Sequence, residues 1–222
     1  MPPMPKRTAA LIRTDADVRR GIRALRRACP TLKHLHDQTG DPPVRHVGHG
    51  FEGLSRIIVG QQLSVASASA IWNRTRALIE PFEPKGLSAA ADAELRSAGL
   101  SAGKVRTLRA LARACAEEGL DIAALDALDE TAIRERLMRV SGIGPWTADI
   151  YVMFCLGRAD AWAPGDLALQ VAASMAFALE ARPGPAELEA LAERWRPWRG
   201  VAARVLWAWY GLARHRSSAE PL

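Results

Sequence analysis

The chain has 222 residues, 49% of them hydrophobic, and a formal net charge of +6 at pH 7. This length allows one sizeable hydrophobic core, or two small cores that share an interface. No stretch approaches the roughly 20 apolar residues that a membrane-spanning helix needs. The three cysteines lie far apart and lack the spacings that bind zinc or an iron–sulfur cluster. The moderate positive charge favours a polyanionic partner.

Apolar residues recur at helical spacing along almost the whole chain. Val18, Ile22 and Leu25 mark a first helix, for which Asp15 or Asp17 is the candidate N-cap. The same spacing indicates further helices over 51–58, 65–72, 101–115, 131–137, 167–179, 185–193 and 201–212, with candidate caps at Ser64, Ser101 and Asp129 or Thr131. No segment alternates as a strand would. The sequence therefore predicts an all-α protein.

A glycine hairpin, Ser141-Gly142-Ile143-Gly144, separates two of these helices. Gly142 and Gly144 permit backbone reversals, including positive φ, and carry no side chain that would block a phosphate group. Pro145 suits the first turn of the next helix, whose amides then face outward as an anion site. An ordinary helix–turn–helix connection is the alternative. The flanking Leu137, Val140 and the run PWTA favour a helix–hairpin–helix that holds a DNA backbone without reading sequence.

Asp166 follows a Pro-Gly turn and precedes the helix beginning LALQV. This position is typical of a helix N-cap. It also suits an ionised carboxylate at the edge of a cleft, where it would face a sugar cation. Capping and catalysis are compatible roles for one side chain.

Together the hairpin and Asp166 resemble the helix–hairpin–helix DNA glycosylase superfamily, and within it the 3-methyladenine DNA glycosylase II (alkylation-repair) branch. The resemblance rests on four blocks, FEGLSRIIVGQQLSVASASAIW (51–72), GLSAGKVRTLRALA (99–112), residues 137–170 and WRPWRGVAARVLWAWYG (195–211). It implies two helical subdomains, residues 1–48 with 159–222 and residues 49–158, with a cleft for DNA and the flipped base between them. It also implies a short form, since longer members carry an additional N-terminal α/β domain.

The resemblance implies a role for each matching residue. Asp166 would be the catalytic carboxylate, and Trp146, Trp207 and Ile150 would line the base pocket. Ile150 departs from the family pattern, which has a tyrosine that stacks on the base there, so the substrate range does not transfer with the other roles.

The remaining matches concern DNA. The amides around Gly142, Gly144 and Thr147 would hold a phosphate group, and the main-chain carbonyls of Met138, Val140 and Ile143 would coordinate a structural monovalent or divalent cation. Gln62 or Leu63 would fill the gap that the flipped base leaves in the duplex. The alternative for both is a plain helix end with one buried leucine.

Trp146 decides between two chemistries. Bifunctional relatives carry a lysine at this point of the hairpin motif, which attacks the sugar and leads to strand cleavage, whereas tryptophan has no nucleophile. The resemblance therefore implies a monofunctional enzyme, without an iron–sulfur cluster or a catalytic cofactor, that excises alkylated purines from double-stranded DNA. The alternatives are a glycosylase for uracil or other neutral bases, and a non-catalytic helix–hairpin–helix DNA-binding scaffold. We expect a monomer in the bacterial cytoplasm, associated with the nucleoid.

Overall fold

A computed structural model describes residues 10–45 and 47–219, with side chains as far as Arg214. The described residues form α-helices joined by short turns and contain no strand beyond an isolated bridge between Leu11 and Arg158. The helices are α1 (Asp15–Ala28), α2 (Pro30–Thr39), α3 (Gly50–Gly60), α4 (Val65–Ala77), α5 (Pro84–Ala89), α6 (Asp92–Ser97), α7 (Ala102–Ala116), α8 (Glu130–Met138), α9 (Pro145–Phe154), α10 (Leu167–Ala176), α11 (Pro185–Ala192) and α12 (Arg199–Ala219). The all-α prediction is confirmed. Within the described part of the chain, no helix combines the length and the apolar character needed to cross a membrane.

The chain divides into two compact units. Unit 1 combines the two ends of the chain, up to Arg45 and from Gly157 onward, and unit 2 is the continuous segment 46–156. Unit 1 therefore contains α1, α2 and α10 to α12, and unit 2 contains α3 to α9.

Unit 2 is built around the apolar faces of α3, α7, α8 and α9. The stripe predicted on α7 is buried at Val105, Leu108 and Leu111. Ser101 caps this helix by accepting a hydrogen bond from the amide of Lys104, as the sequence predicted. The caps at Ser64 and Asp129 are confirmed in the same way.

Unit 1 packs α12 against α1, α2 and α10. A glycine permits the close approach of α1 and α12, because a β-carbon on Gly21 of α1 would lie 2.6 Å from a methyl group of Val201. Trp162 and Trp195 are fully buried and meet edge to face, with ring centroids 5.6 Å apart. The core of unit 1 therefore joins segments that are more than 150 residues apart in the sequence.

Two predictions about helices are wrong. The N-cap of α1 is Thr14, not Asp15 or Asp17; Asp17 is the third residue of a capping box, and its carboxylate accepts hydrogen bonds from the amides of Arg13 and Thr14. The sequence analysis also missed α2, α5 and α6. The reason is physical: α5 and α6 are six residues long, and α2 is largely polar and buries only two leucines, Leu32 and Leu35.

Candidate active site

The predicted hairpin is a tight turn of unit 2 between α8 and α9. The amide of Ile143 donates a hydrogen bond to the carbonyl of Val140 over 3.0 Å, which closes a four-residue turn. Gly142 occupies its third position with a φ of +87°, a conformation that favours glycine. Gly144 is the N-cap of α9 with a φ of −100°, in extended backbone that other residues also adopt. The expectation of a reversal that needs glycine holds for Gly142 and is wrong for Gly144.

Gly142 also lies directly against α7. A β-carbon at this position would lie 2.0 Å from the hydroxyl oxygen of Thr107, well inside van der Waals contact. Thr107 is buried, and its hydroxyl donates to the carbonyl of Gly103 over 3.1 Å. A β-carbon on Gly144, by contrast, would meet no atom within 4 Å. Gly142 therefore lets the hairpin close on α7, whereas Gly144 leaves the approach to the start of α9 open.

The start of α9 has the features of an anion site. Pro145 occupies its first turn, where a missing amide hydrogen costs nothing. Helix geometry leaves the first-turn amides without an acceptor inside the helix, and Gly144 has no side chain to cap them. Such a helix end attracts a phosphate group through its amides and its dipole.

Trp146 and Ile150, two of the predicted pocket residues, lie four positions apart and so on one face of α9. Trp146 is partly exposed and Ile150 is buried. Between them, the buried carboxylate of Asp149 accepts a hydrogen bond from the guanidinium of Arg134 in α8 over 2.5 Å. A buried carboxylate needs such a partner, so this ion pair fixes α9 against α8.

A short exposed turn between α3 and α4 carries both candidates for the residue that fills the gap in the duplex. Gln62 has a φ of +55°, a left-handed conformation that is uncommon for a residue with a side chain. Leu63 is 39% exposed, so the alternative of a helix end with a buried leucine is wrong. A strained backbone that presents an apolar side chain to solvent is typical of a contact surface.

A residue outside the predicted set connects this turn to the hairpin helix. The side-chain amide of Gln61 donates a hydrogen bond to the hydroxyl oxygen of Thr147 over 2.8 Å. Thr147 is buried in the first turn of α9. The turn and the proposed phosphate site are therefore in direct contact within unit 2.

Asp166 lies in unit 1 and is the N-cap of α10. Its Oδ1 accepts a hydrogen bond from the amide of Leu169 over 2.9 Å, which confirms the capping prediction. The same oxygen accepts a hydrogen bond from the indole N–H of Trp207 in α12 over 3.0 Å. Two N–H donors therefore hold one oxygen of the carboxylate in a defined orientation, and one of them belongs to a predicted pocket residue.

Gln170 fixes the turn that leads to Asp166. Its side-chain amide donates to the carbonyl of Pro164 over 2.9 Å, and its backbone amide donates to the carbonyl of Asp166 over 3.0 Å. Gln170 is buried. The side-chain amide of Gln170 is thus hydrogen-bonded to the protein backbone.

A buried arginine, Arg204, lies about one helical turn before Trp207 on α12. The guanidinium of Arg204 donates to the carbonyl of Gly200 over 2.7 Å. Burial, with a smaller contribution from the charge of Arg45, lowers the pKa of Arg204 to about 10. The side chain therefore remains charged at neutral pH, and this face of α12 carries an indole N–H and a positive charge in succession.

The proposed cation ligands lie on the segment from the end of α8 into the hairpin. Main-chain carbonyls such as those of Met138, Val140 and Ile143 are hard oxygen donors, which suit alkali and alkaline-earth cations. The carbonyl of Val140 accepts one hydrogen bond within the turn, and a carbonyl oxygen has a second lone pair. The donor set fits a structural cation of that kind.

Two functional candidates, Gln61 and Gln170, were absent from the predicted set. Gln170 follows Asp166 by four residues, the spacing of neighbours on a helix face, and this signal could have found it. Gln61 had only its position beside Gln62 as a signal, because its partner Thr147 lies 86 residues away.

Comparisons with known proteins agree with this geometry. Residues 55–197 match the family described as "HhH-GPD superfamily base excision DNA repair protein", and the chain belongs to this family. The alkylbase DNA glycosidase-like protein mag2 of Schizosaccharomyces pombe is 28% identical over 162 residues, which cover 71% of this chain and 76% of that protein. A probable bifunctional transcriptional activator/DNA repair enzyme AlkA of Mycobacterium tuberculosis is 29% identical over 90% of this chain, which spans 41% of that longer protein.

The fold is likewise similar to a solved structure. The 3-methyladenine DNA glycosylase Mag1 of Schizosaccharomyces pombe, in complex with abasic DNA, superimposes with a TM-score of 0.78 at 26% sequence identity. The match covers 85% of this chain and 95% of that one.

Proposed function

We propose that the protein is a monofunctional DNA glycosylase that excises alkylated purines of the 3-methyladenine and 7-methylguanine type from duplex DNA. The observation that carries the proposal is the carboxylate of Asp166, held through Oδ1 by the amide of Leu169 and the indole of Trp207. Membership of a base excision repair family supports the reaction class. The names of the relatives, alkylbase and 3-methyladenine glycosylases, support the substrate class.

The hairpin would bind the DNA backbone. The amides around Gly142, Gly144 and Thr147 would hold one phosphate group, as the capless start of α9 favours. The carbonyls of Met138, Val140 and Ile143 would hold a cation, which supplies positive charge beside that phosphate. Because these residues contact the DNA backbone, we expect an affinity that does not depend on DNA sequence and that falls as the salt concentration rises.

The base must then leave the duplex. Unstacking costs a few kcal/mol, and less for a damaged base. The exposed turn at Gln62 and Leu63 would fill the gap that the base leaves. Trp146, Trp207 and Ile150 would line the pocket that receives the base. Alkylated purines carry a positive charge, which an aromatic wall stabilises by about 0.5–2 kcal/mol.

The chemical step follows from charge. As the bond from C1′ to the purine breaks, its electron pair moves to the base, which leaves as a neutral molecule, and the sugar becomes an oxocarbenium-like cation. The carboxylate of Asp166 would stabilise that cation and orient the water that adds to C1′ and releases a proton. An acid that protonates the leaving group is unnecessary, since the base is already cationic.

The product would be an intact abasic site. Trp146 occupies the position where a lysine would attack C1′, and an indole cannot form the imine that leads to strand cleavage. We therefore expect no lyase activity, a monomeric enzyme and action on chromosomal DNA.

The proposal is tested by incubating the protein with methylated duplex DNA and separating the released bases by chromatography. We expect 3-methyladenine and 7-methylguanine in the supernatant and an uncleaved strand until alkali is added. Borohydride trapping of a protein–DNA adduct would show that the enzyme is bifunctional. Release of uracil from a uracil-containing duplex, without release of methylated purines from the methylated duplex, would favour the glycosylase for neutral bases. DNA binding without release of any base would favour the scaffold.

A further inference from the structure

We propose that Gln61 is a positioning residue that couples the phosphate site at the start of α9 to the turn that enters the duplex. The inference rests on the proposed function, in which the turn at 61–64 fills the gap left by the flipped base. It adds a mechanical link between two contacts that the proposed function treats as separate.

The link is the hydrogen bond from the side chain of Gln61 to the hydroxyl of Thr147, at 2.8 Å. Thr147 is 2% exposed, so its hydroxyl has a fixed place in the first turn of α9, the turn whose amides form the proposed phosphate site. Gln61 is the residue immediately before Gln62, at the end of α3. A phosphate group held at α9 is thus one side chain away from the turn.

A second contact holds the end of α3, just before the turn. The ammonium group of Lys104 in α7 donates a hydrogen bond to the carbonyl of Val59 over 2.7 Å. Partial burial lowers the pKa of Lys104, whose half-buried side chain packs against the end of α3. The end of α3 is therefore held by α7 through Lys104 and by α9 through Gln61.

Immediately after these two contacts the backbone is left-handed at Gln62. A non-glycine residue is strained in this conformation, so the surrounding contacts must maintain it. Gln61 and Lys104 supply them, and they hold the turn in which Gln62 and Leu63 are exposed. Preorganisation of this kind reduces the free energy lost when the turn inserts into DNA.

The α7 helix contacts both the end of α3 and the hairpin. Lys104 and Thr107 lie three residues apart on one face of α7; Lys104 reaches the end of α3, and Thr107 contacts the hairpin at Gly142. The hairpin and the end of α3 are thus both held by α7, and Gln61 links the end of α3 to the start of α9. Binding of the DNA backbone and displacement of the base are therefore coupled on this face of unit 2.

The variant Gln61→Met tests the inference, because methionine keeps the length of the side chain and removes the amide. Loss of one hydrogen bond predicts a roughly two- to twelvefold fall in 3-methyladenine release from methylated duplex DNA. Release from methylated single-stranded DNA, which needs no gap filling, should be unchanged. Gln38→Met, an amide removed from α2 of unit 1, is the matched control and should change neither rate. An equal fall on both substrates for Gln61→Met would overturn the inference, since it would indicate general damage to the fold.

A double-mutant cycle with Thr147→Val isolates the bond itself. If the inference holds, Gln61→Met has no further effect on duplex release in the Thr147→Val background, whereas Thr147→Ser retains the coupling. Additive losses would overturn the link between the two side chains.

A separate readout distinguishes this inference from the proposed function. In the Asp166→Asn background, fluorescence of 2-aminopurine in an undamaged duplex reports base unstacking without excision. Gln61→Met should reduce the fluorescence increase at saturating protein. If the wild-type protein released no base but Gln61→Met still reduced unstacking, the proposed function would fail and the coupling would stand. Unchanged unstacking would reject the coupling.

Discussion

The hairpin turn of unit 2 and the Pro-Gly-Asp turn of unit 1 both contain glycine, but they serve chemistry in opposite ways. The hairpin of unit 2 acts through its backbone: Gly142 contributes a left-handed φ and the absence of a β-carbon. The Pro-Gly-Asp turn of unit 1 acts through one side chain, the carboxylate of Asp166, oriented by donors from α10 and α12. The hairpin should therefore be sensitive to added atoms, and none of its residues from Ser141 to Gly144 has a charged side chain to lose. The acidic turn should be sensitive to charge and tolerant of an isosteric change.

The largest effect is expected at Asp166, where charge can be removed without a change of shape. The side chain introduced by Asp166→Asn would retain an oxygen that accepts from Leu169 and Trp207, so capping is preserved. Loss of a preorganised electrostatic group costs about 10²–10³ in rate. We expect Asp166→Asn to release 3-methyladenine at least that much more slowly, measured by single-turnover kinetics. Lesion affinity, measured by fluorescence anisotropy, should stay within about twofold. Undiminished release would remove Asp166 from the mechanism.

The next effect separates the two glycines of the hairpin. Gly142→Ala adds a β-carbon 2.0 Å from the Thr107 hydroxyl oxygen at a φ of +87°, and we expect a loss of about 2–5 kcal/mol in the free energy of unfolding. Affinity should fall on every duplex alike, whatever its sequence. Gly144→Ala is the matched control, since its β-carbon meets nothing within 4 Å, and urea denaturation should find it near the wild type. If Gly144→Ala nevertheless bound DNA more weakly, the added methyl group would be obstructing the phosphate. A loss confined to one DNA sequence would contradict the backbone clamp.

A smaller effect tests the orientation of the carboxylate. Trp207→Phe keeps an aromatic ring and removes the N–H that donates to Asp166. A hydrogen bond to a charged group contributes about 1.5–3 kcal/mol, so the excision rate should fall roughly 10- to 150-fold. KM for methylated duplex DNA should change little, since a ring remains in place. A raised KM at unchanged kcat would instead make Trp207 a binding residue only.

The smallest effect is expected at Asp17, the acidic residue of the α1 capping box, for which we propose no chemistry. The carboxylate of Asp17 accepts from the hydroxyl of Thr14 and from the amides of Arg13 and Thr14, and these hydrogen bonds, that of Thr14 first, lower the pKa of Asp17. A lowered pKa means that the stabilisation is present above about pH 4, the unfolded value, and is lost as the pH falls through the folded value. We expect Asp17→Ala to cost about 1 kcal/mol of unfolding free energy at pH 7 and less at pH 3, by urea denaturation. Base excision should be unchanged, in contrast to Asp166→Asn.

Local signals predicted much of this molecule. Caps such as Ser64, Ser101 and Asp166 are readable because they depend on residues three positions apart. The positive φ of Gly142 was readable from the turn itself. The contact of Trp207 with Asp166 spans 41 residues, and that of Gln61 with Thr147 spans 86. Such pairs are set by how helices pack, which no periodicity specifies. Thr14 was missed because two acidic residues beside it offered equally good local caps.

The division of the chain into one continuous and one discontinuous unit has a consequence for biosynthesis. All contacts within 46–156 become available once residue 156 has been made, whereas unit 1 needs α12 to close on α1 and α2. Domains generally fold as units while the ribosome is still adding residues. The half with the hairpin can therefore form on the ribosome while the half with Asp166 waits for the last helix. A nascent chain arrested before α12 would contain the proposed DNA-binding hairpin but lack the indole of Trp207, which orients the carboxylate of Asp166.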